Sequence, residues 1–117
     1  MNYHEIFKAF GELSRIKIIK LLSIKKMYVC EIEAILDMSQ PRISQHLKVL
    51  RQAKLVNMEK DGQRTVYSLD RDMINSFFLA FNHFLDAPLD ELPSFQEYDE
   101  RMKEVEQDPS VTLCKYQ

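Results

Sequence analysis

Three features of the sequence predict a mainly α-helical fold carrying one small β-hairpin. Apolar side chains recur at helical spacing along most of the 117 residues. Two glycines and four prolines are too few for a turn-rich β sandwich. A lone Asp61-Gly62 pair, flanked by β-branched and aromatic residues, is the strongest local hairpin signal.

The first helix is expected over Tyr3 to Phe10, with Ile6, Phe7 and Phe10 on one face, and Gly11 breaks it. Ser14 suits the N-cap of a second helix, in which Ile16, Ile19 and Leu22 recur while Lys17, Lys20 and Lys25 fall mostly elsewhere. Cys30 to Leu36 forms a short third helix burying Ile32, Ile35 and Leu36, and Asp37-Met38-Ser39 is a tight connection. Ser39 or Gln40 caps a fourth helix running to about Ala53, with Pro41 tolerated in its first turn. The period then changes. Val56 to Lys60 and Arg64 to Leu69 are strand-like, and Thr65-Val66-Tyr67 is β-branched and aromatic. Ile74, Phe77, Phe78, Phe81, Phe84 and Leu85 make the apolar stripe of a fifth helix. Pro88 and Pro93 interrupt. Ser94 with Glu97 is a capping-box pattern for a last helix, whose apolar positions are Phe95, Tyr98, Met102 and Val105. Pro109 is expected to end it, leaving residues 110–117 as a tail of unassigned structure.

Two short helices joined by a tight turn and followed by a two-stranded wing form a winged helix-turn-helix. Residues 1–86 are expected to hold this domain, and 87–117 a helical extension and tail. The length suits one hydrophobic core. Apolar residues at 45% and charged residues at 29% fit a globular chain, not a disordered one. The longest apolar run, Phe77 to Phe81, is far short of a membrane span, so no membrane partner is expected. The N-terminus lacks a basic-then-apolar signal pattern. Two cysteines cannot build a disulfide framework, which makes a reducing cytoplasm the expected compartment.

The formal charge of −2 conceals two unlike halves. Residues 1–69 carry twelve basic and seven acidic side chains, a balance of +5, and residues 70–117 carry four and eleven, or −7. Such asymmetry raises the prospect of a polyanionic partner. The fourth helix sharpens it. At about 100° per residue, Ile43, Leu47 and Leu50 share one face. The opposite face carries Ser44, Gln45, Lys48 and Gln52, with Gln40 and Arg51 at its edge and Arg42 to the side. No Asp or Glu occurs from Met38 to Met58. Glutamine pairs with adenine edges, serine bonds bases or phosphates, and lysine and arginine neutralise phosphates, so the surface suits duplex DNA. The DNA-contacting set is therefore Gln40, Arg42, Ser44, Gln45, Lys48, Arg51 and, at the hairpin tip, Arg64. His46 falls near the buried edge as an orienting residue. A winged-helix protein-interaction module is the alternative, and it calls for apolar anchors that this face lacks. No phosphate loop, metalloprotease helix or nucleophile elbow occurs, so no enzyme is expected.

Three segments carry a resemblance. They are Phe10-Gly11-Glu12-Leu13-Ser14-Arg15-Ile16-Lys17-Ile18-Ile19, Ser39-Gln40-Pro41-Arg42-Ile43-Ser44-Gln45-His46-Leu47-Lys48-Val49-Leu50-Arg51, and Gly62-Gln63-Arg64-Thr65-Val66-Tyr67-Ser68-Leu69. Together they resemble the ArsR/SmtB metal-responsive repressors over about residues 3–86. The resemblance implies a transcriptional repressor that binds a palindromic operator as a homodimer through its first and fifth helices and is released by an inducer. The residues agree with pairing, because the long aromatic stripe of the fifth helix needs a cover and two-fold pairing is the commonest oligomer, the alternative cover being the last helix folded onto it. The interface set is Ile6, Phe7, Phe10, Ile74, Phe77, Phe78, Phe81 and Leu85. A departure is Lys54, where many members have glycine after the recognition helix.

Two inducer sites are weighed against the same family. Its arsenic sensors carry an E-L-C-V-C-D-L type segment where this chain reads Lys26-Met27-Tyr28-Val29-Cys30-Glu31-Ile32, so one thiol position is Tyr28 and the other Cys30. A thiol sensor would use Cys30, with or without Cys114, toward a metalloid or oxidant. Related zinc sensors use D-x-H…H-x-x-[EH] on the fifth helix. Asp70-x-Asp72 and His83-x-x-Asp86 match that spacing only after a one-residue shift. Asp72, His83 and Asp86 are thus the metal candidates, reachable only across a dimer, and the thiol-reactive inducer is preferred to zinc.

Overall fold

The computed structural model describes residues 2–116. Helix α1 spans Tyr3–Phe10 and is opened by Asn2, whose side-chain oxygen accepts the Glu5 N–H at 3.2 Å. Helix α2 spans Leu13–Ile24, strand β1 Met27–Tyr28, and α3 Val29–Leu36. Helix α4 covers Gln40–Gln52, the hairpin strands β2 and β3 cover Val56–Asp61 and Arg64–Leu69, and α5 runs over Arg71–Asp86. The chain divides after Phe81 into two compact units.

The first unit has one core. Ile18 of α2, Ile32 of α3, Ile43, Leu47 and Leu50 of α4, Leu55 and Phe77 of α5 are fully buried there. Each such side chain contributes roughly 1.5–3 kcal/mol by leaving water. The sheet is antiparallel in the order β1-β3-β2. Val56 pairs with Leu69 at one end of the hairpin and Asp61 with Arg64 at the other, leaving Gly62-Gln63 as the loop. Gly62 holds φ 65°, the positive value that a first loop position of this kind favours. Asp61 therefore belongs to the strand rather than to the turn. Strand β1 has no counterpart in the sequence pattern, because two residues show no alternation. Met27 pairs with Tyr67 and Tyr28 with Val66, which ties the wing to the start of α3.

The end of α4 is a Schellman motif. The Leu55 N–H donates to Leu50 O at 3.0 Å and the Lys54 N–H to Arg51 O at 2.9 Å, with Lys54 in the left-handed region at φ 63°. Asp37, in the turn before α4, also takes positive φ, at 53°.

Several expectations need correction. Glu12, not Ser14, caps α2, its carboxylate accepting the Arg15 N–H at 3.1 Å. Ile16 and Ile35 are exposed, whereas Ile18 enters the core. Apolar residues lie on several sides of α2, so the stripe through Ile16 is one of several available. Phe77 is covered by α1 of the same chain, with the Phe7 and Phe77 rings 4.9 Å apart and the Phe10 and Phe77 rings 6.0 Å apart. Ile6 and Phe77, placed above in a dimer interface, are thus core residues of the single chain.

The second unit holds two single turns of 3-10 helix, Leu89–Glu91 and Pro93–Phe95, then α6 over Gln96–Glu106 and α7 over Pro109–Cys114. Phe84, Phe95 and Tyr98 form a ring cluster at 5.6 and 5.7 Å. The Ser94–Glu97 capping box does not form, because Ser94 lies inside a 3-10 turn and Phe95 occupies the cap of α6. Pro109 opens a helix instead of only ending one. Asp108 caps α7 by accepting the Ser110 N–H at 2.9 Å, and its carboxyl is held below the usual range by the Ser110 hydroxyl and N–H. Among the described residues, no helix is long and apolar enough to cross a membrane.

Candidate nucleic-acid interface

Helix α4 is gripped from behind and open in front. Ile43, Leu47 and Leu50 are fully buried, while Gln40, Arg42, Gln45, Lys48, Arg51 and Gln52 are exposed and Ser44 is half-buried. Gln40 Nε2 donates to Ser44 Oγ at 2.7 Å, which pre-orders the first turn of this face. Arg51 leans toward the wing, its Nη1 lying 2.9 Å from Met58 Sδ on β2. The side chains predicted to meet DNA thus lie on the open side of α4, with Arg42 to one side of the others, and Arg64 stands exposed on the wing.

His46 sits inward, with a side chain only 15% exposed. Its Nδ1 lies 3.3 Å from Arg15 Nη1 and 3.8 Å from Glu12 Oε2. Guanidinium only donates, so Nδ1 is the acceptor and the neutral ring carries its proton on Nε2. Arg15 also donates from Nε to Ala9 O at 2.7 Å and from Nη2 to Lys8 O at 3.1 Å. One arginine thus joins the C-terminal carbonyls of α1 to the inner edge of α4. Sequence reasoning gives Arg15 no role, because the contact needs α1, α2 and α4 folded together. Partial burial pulls the Glu12 carboxyl up, but the Arg15 N–H, the Ser14 N–H and the Arg15 charge outweigh it and hold it below its ordinary value.

The wing tip has its own order. The Arg64 guanidinium lies over the Tyr28 ring, 4.3 Å from the centroid, and the Tyr28 hydroxyl donates to the Asp61 carboxylate. That hydrogen bond raises the phenol above its usual value. The Tyr28 N–H donates to Glu31 Oε1 at 3.0 Å, and Lys25 Nζ meets Glu31 Oε2 at 3.3 Å. Both partners keep the Glu31 carboxyl below its ordinary range, the Tyr28 N–H foremost.

The sensor candidates are less assembled. Cys30, in the first turn of α3, and Cys114, at the end of α7, are both exposed and free. Among the described residues no three His, Cys, Asp or Glu side chains converge as a metal site, Asp72, His83 and Asp86 included. Asp70 is occupied as a helix cap, accepting the Met73 N–H at 2.9 Å.

Comparison with known proteins gives a consistent picture. The family model described as "Bacterial regulatory protein, arsR family" matches residues 14–58. An uncharacterized HTH-type transcriptional regulator of Methanocaldococcus jannaschii is 42% identical over 71 residues, 60% of this chain and 80% of the relative. The arsenical resistance operon repressor of Staphylococcus aureus is 32% identical over 85 residues, 70% of this chain and 82% of that protein. A crystal structure described as a possible transcriptional regulator for arsenical resistance superposes with a TM-score of 0.62 at 31% identity, over 77% of this chain and 94% of the other. These relatives are transcriptional regulators, not enzymes.

Proposed function

Because the chain belongs to the ArsR family of bacterial regulatory proteins, we propose that it is a repressor that binds a palindromic operator as a homodimer, through α4 and the wing. The observation that carries this reading is α4 itself. Its buried face is wholly apolar, its open face bears Gln40, Arg42, Gln45, Lys48 and Arg51, and no acid occurs from Met38 to Met58. In this reading Gln40, Ser44 and Gln45 address base edges, while Arg42, Lys48 and Arg51 neutralise phosphates and Arg64 reaches the neighbouring groove or backbone. An interaction module would present apolar anchors there instead.

Dimerisation is supported by the aromatic face that α1 and α5 leave open. Phe7 is 40% and Phe78 46% exposed, beside the half-buried Phe10, Ile74 and Phe81. Leu85, further along α5, is also exposed. Two-fold pairing through this face sets two α4 helices on successive turns of DNA, about 34 Å apart. Inducer release is assigned to Cys30, with or without Cys114, through a thiol-bound metalloid or an oxidant. Two cysteines per chain fall short of the three thiolates that trivalent arsenic prefers, so a single modified thiol fits better. Zinc is not favoured, since Asp72, His83 and Asp86 match the zinc-sensor spacing only after a one-residue shift.

A mobility-shift assay with the gene's own upstream DNA tests the reading. A retarded complex at about 50 mM salt that weakens steeply by about 200 mM is expected. No complex at the lower salt refutes it. Release by arsenite or peroxide that persists in Cys30→Ser removes the thiol from the proposal and leaves DNA binding standing.

A further inference from the structure

Asp61 and Arg64 are direct cross-strand partners on either side of the two-residue loop. Opposite charges so placed normally pair with each other. Here they do not: among the described residues no ion pair joins them. The Asp61 carboxylate instead accepts the Tyr28 hydroxyl, and the Arg64 guanidinium carbon lies over the Tyr28 ring, 4.3 Å from its centroid. No described residue accepts a hydrogen bond from the Arg64 side chain. Stacking holds a guanidinium by its face and leaves its edge donors open to phosphate or a base edge.

We propose that Tyr28 is a positioning residue for DNA binding: it diverts the Asp61 carboxylate from Arg64 and holds the guanidinium with its donors free for the duplex. This rests on the repressor reading and deepens it. Tyr28 is well placed to act as a fixed post. Its backbone pairs with Val66 of the wing, and its N–H is held by Glu31, itself held by Lys25. Arg64 on a bare hairpin would lose side-chain freedom on meeting DNA, and a stacked Arg64 has lost much of it beforehand. The two functions need two parts of one side chain. A phenylalanine would supply the ring and leave Asp61 unclaimed.

The test is a double-variant cycle on the full-length chain, with affinity for a duplex bound in the mobility-shift assay read by fluorescence anisotropy across salt concentrations. Arg64→Ala is expected to weaken binding about fivefold and lower the salt slope by about 1 per protomer. Tyr28→Phe should cost about threefold and lower the slope in the same way, because Asp61 then turns to Arg64. In the Asp61→Asn background, Tyr28→Phe should cost almost nothing. A general effect of Tyr28 on folding would cost the same with or without the Asp61→Asn change, and that outcome overturns the proposal. So does a Tyr28→Phe variant with unchanged affinity and slope. A reading independent of DNA is the NMR shift of the Arg64 δ-methylene protons, which should lie upfield under the ring and relax in Tyr28→Leu. Ordinary shifts in the native chain overturn the stacking even where DNA binding stands. Absence of any complex with the native chain falls first on the repressor reading and takes this proposal with it.

Discussion

Replacing Lys54 by glycine is expected to stabilise the chain. Lys54 holds φ 63° past the end of α4, where the two hydrogen bonds of the Schellman motif fix it between Leu50 and Leu55, both fully buried. An L side chain in that region costs about 1–2 kcal/mol from its Cβ. Glycine removes this cost and returns about 0.5–1 kcal/mol through the greater freedom of its unfolded chain. The balance is a gain of about 0.5–1 kcal/mol, or roughly 2–5 °C in Tm. Urea midpoints and thermal melts at one fixed protein concentration measure it. Lys54→Ala is the control: it removes the same charge and stem but keeps the Cβ, so it should show no gain. If the glycine variant unfolds at lower urea than both the native chain and the alanine variant, backbone strain at Lys54 is not what limits this turn.

Arg15→Ala should destabilise the chain by about 2–3 kcal/mol, because the carbonyls of Lys8 and Ala9 and the His46 ring all lose a charged donor. Arg15→Lys should recover only part of it, since three donors on a single nitrogen cannot span the acceptors that Nε, Nη1 and Nη2 reach separately. For Glu12 the native carboxyl titrates below its unfolded value, so its contribution is present above that value and is lost as pH falls through the native one. Stability should therefore drop as pH falls below 4.5, and Glu12→Gln should flatten that drop in urea midpoints taken on either side of it. On DNA, Lys48→Ala should weaken all sequences alike and reduce the salt slope by about 1 per protomer, whereas Gln45→Ala should erode discrimination at one base position by about 1–3 kcal/mol. Equal losses on operator and random DNA for Gln45→Ala would remove it from the base readers.

The parts that are legible from the sequence rest on short-range rules. Ile43, Leu47 and Leu50 declare the buried face of α4, and with it the open one. Gly62 declares the hairpin, and His46 the inner edge. Helix α1 comes out at Tyr3–Phe10 because Gly11 follows a clear apolar stripe. What escapes is long-range. Arg15 bridges helices that only folding brings together, and β1 is two residues whose strand character exists only beside β3. Tyr28 reads in the sequence as a missing thiol, and its place over the wing follows from that same pairing. Ser94–Glu97 has the right letters for a cap, but Pro93 commits the segment to a tighter turn first.

The two residues of β1 have a consequence for how the molecule opens. A two-stranded hairpin standing alone is marginally stable in water, and three strands are what make a small sheet hold. With Met27 and Tyr28 laced to Tyr67 and Val66, the wing loses the option of fraying by itself. Releasing it means undoing the entrance to α3 and exposing the buried Met27. Amide hydrogens in the middle of β3 should then exchange with solvent at the pace of the helical core, as one cooperative block, while only the amides around Gly62 exchange freely.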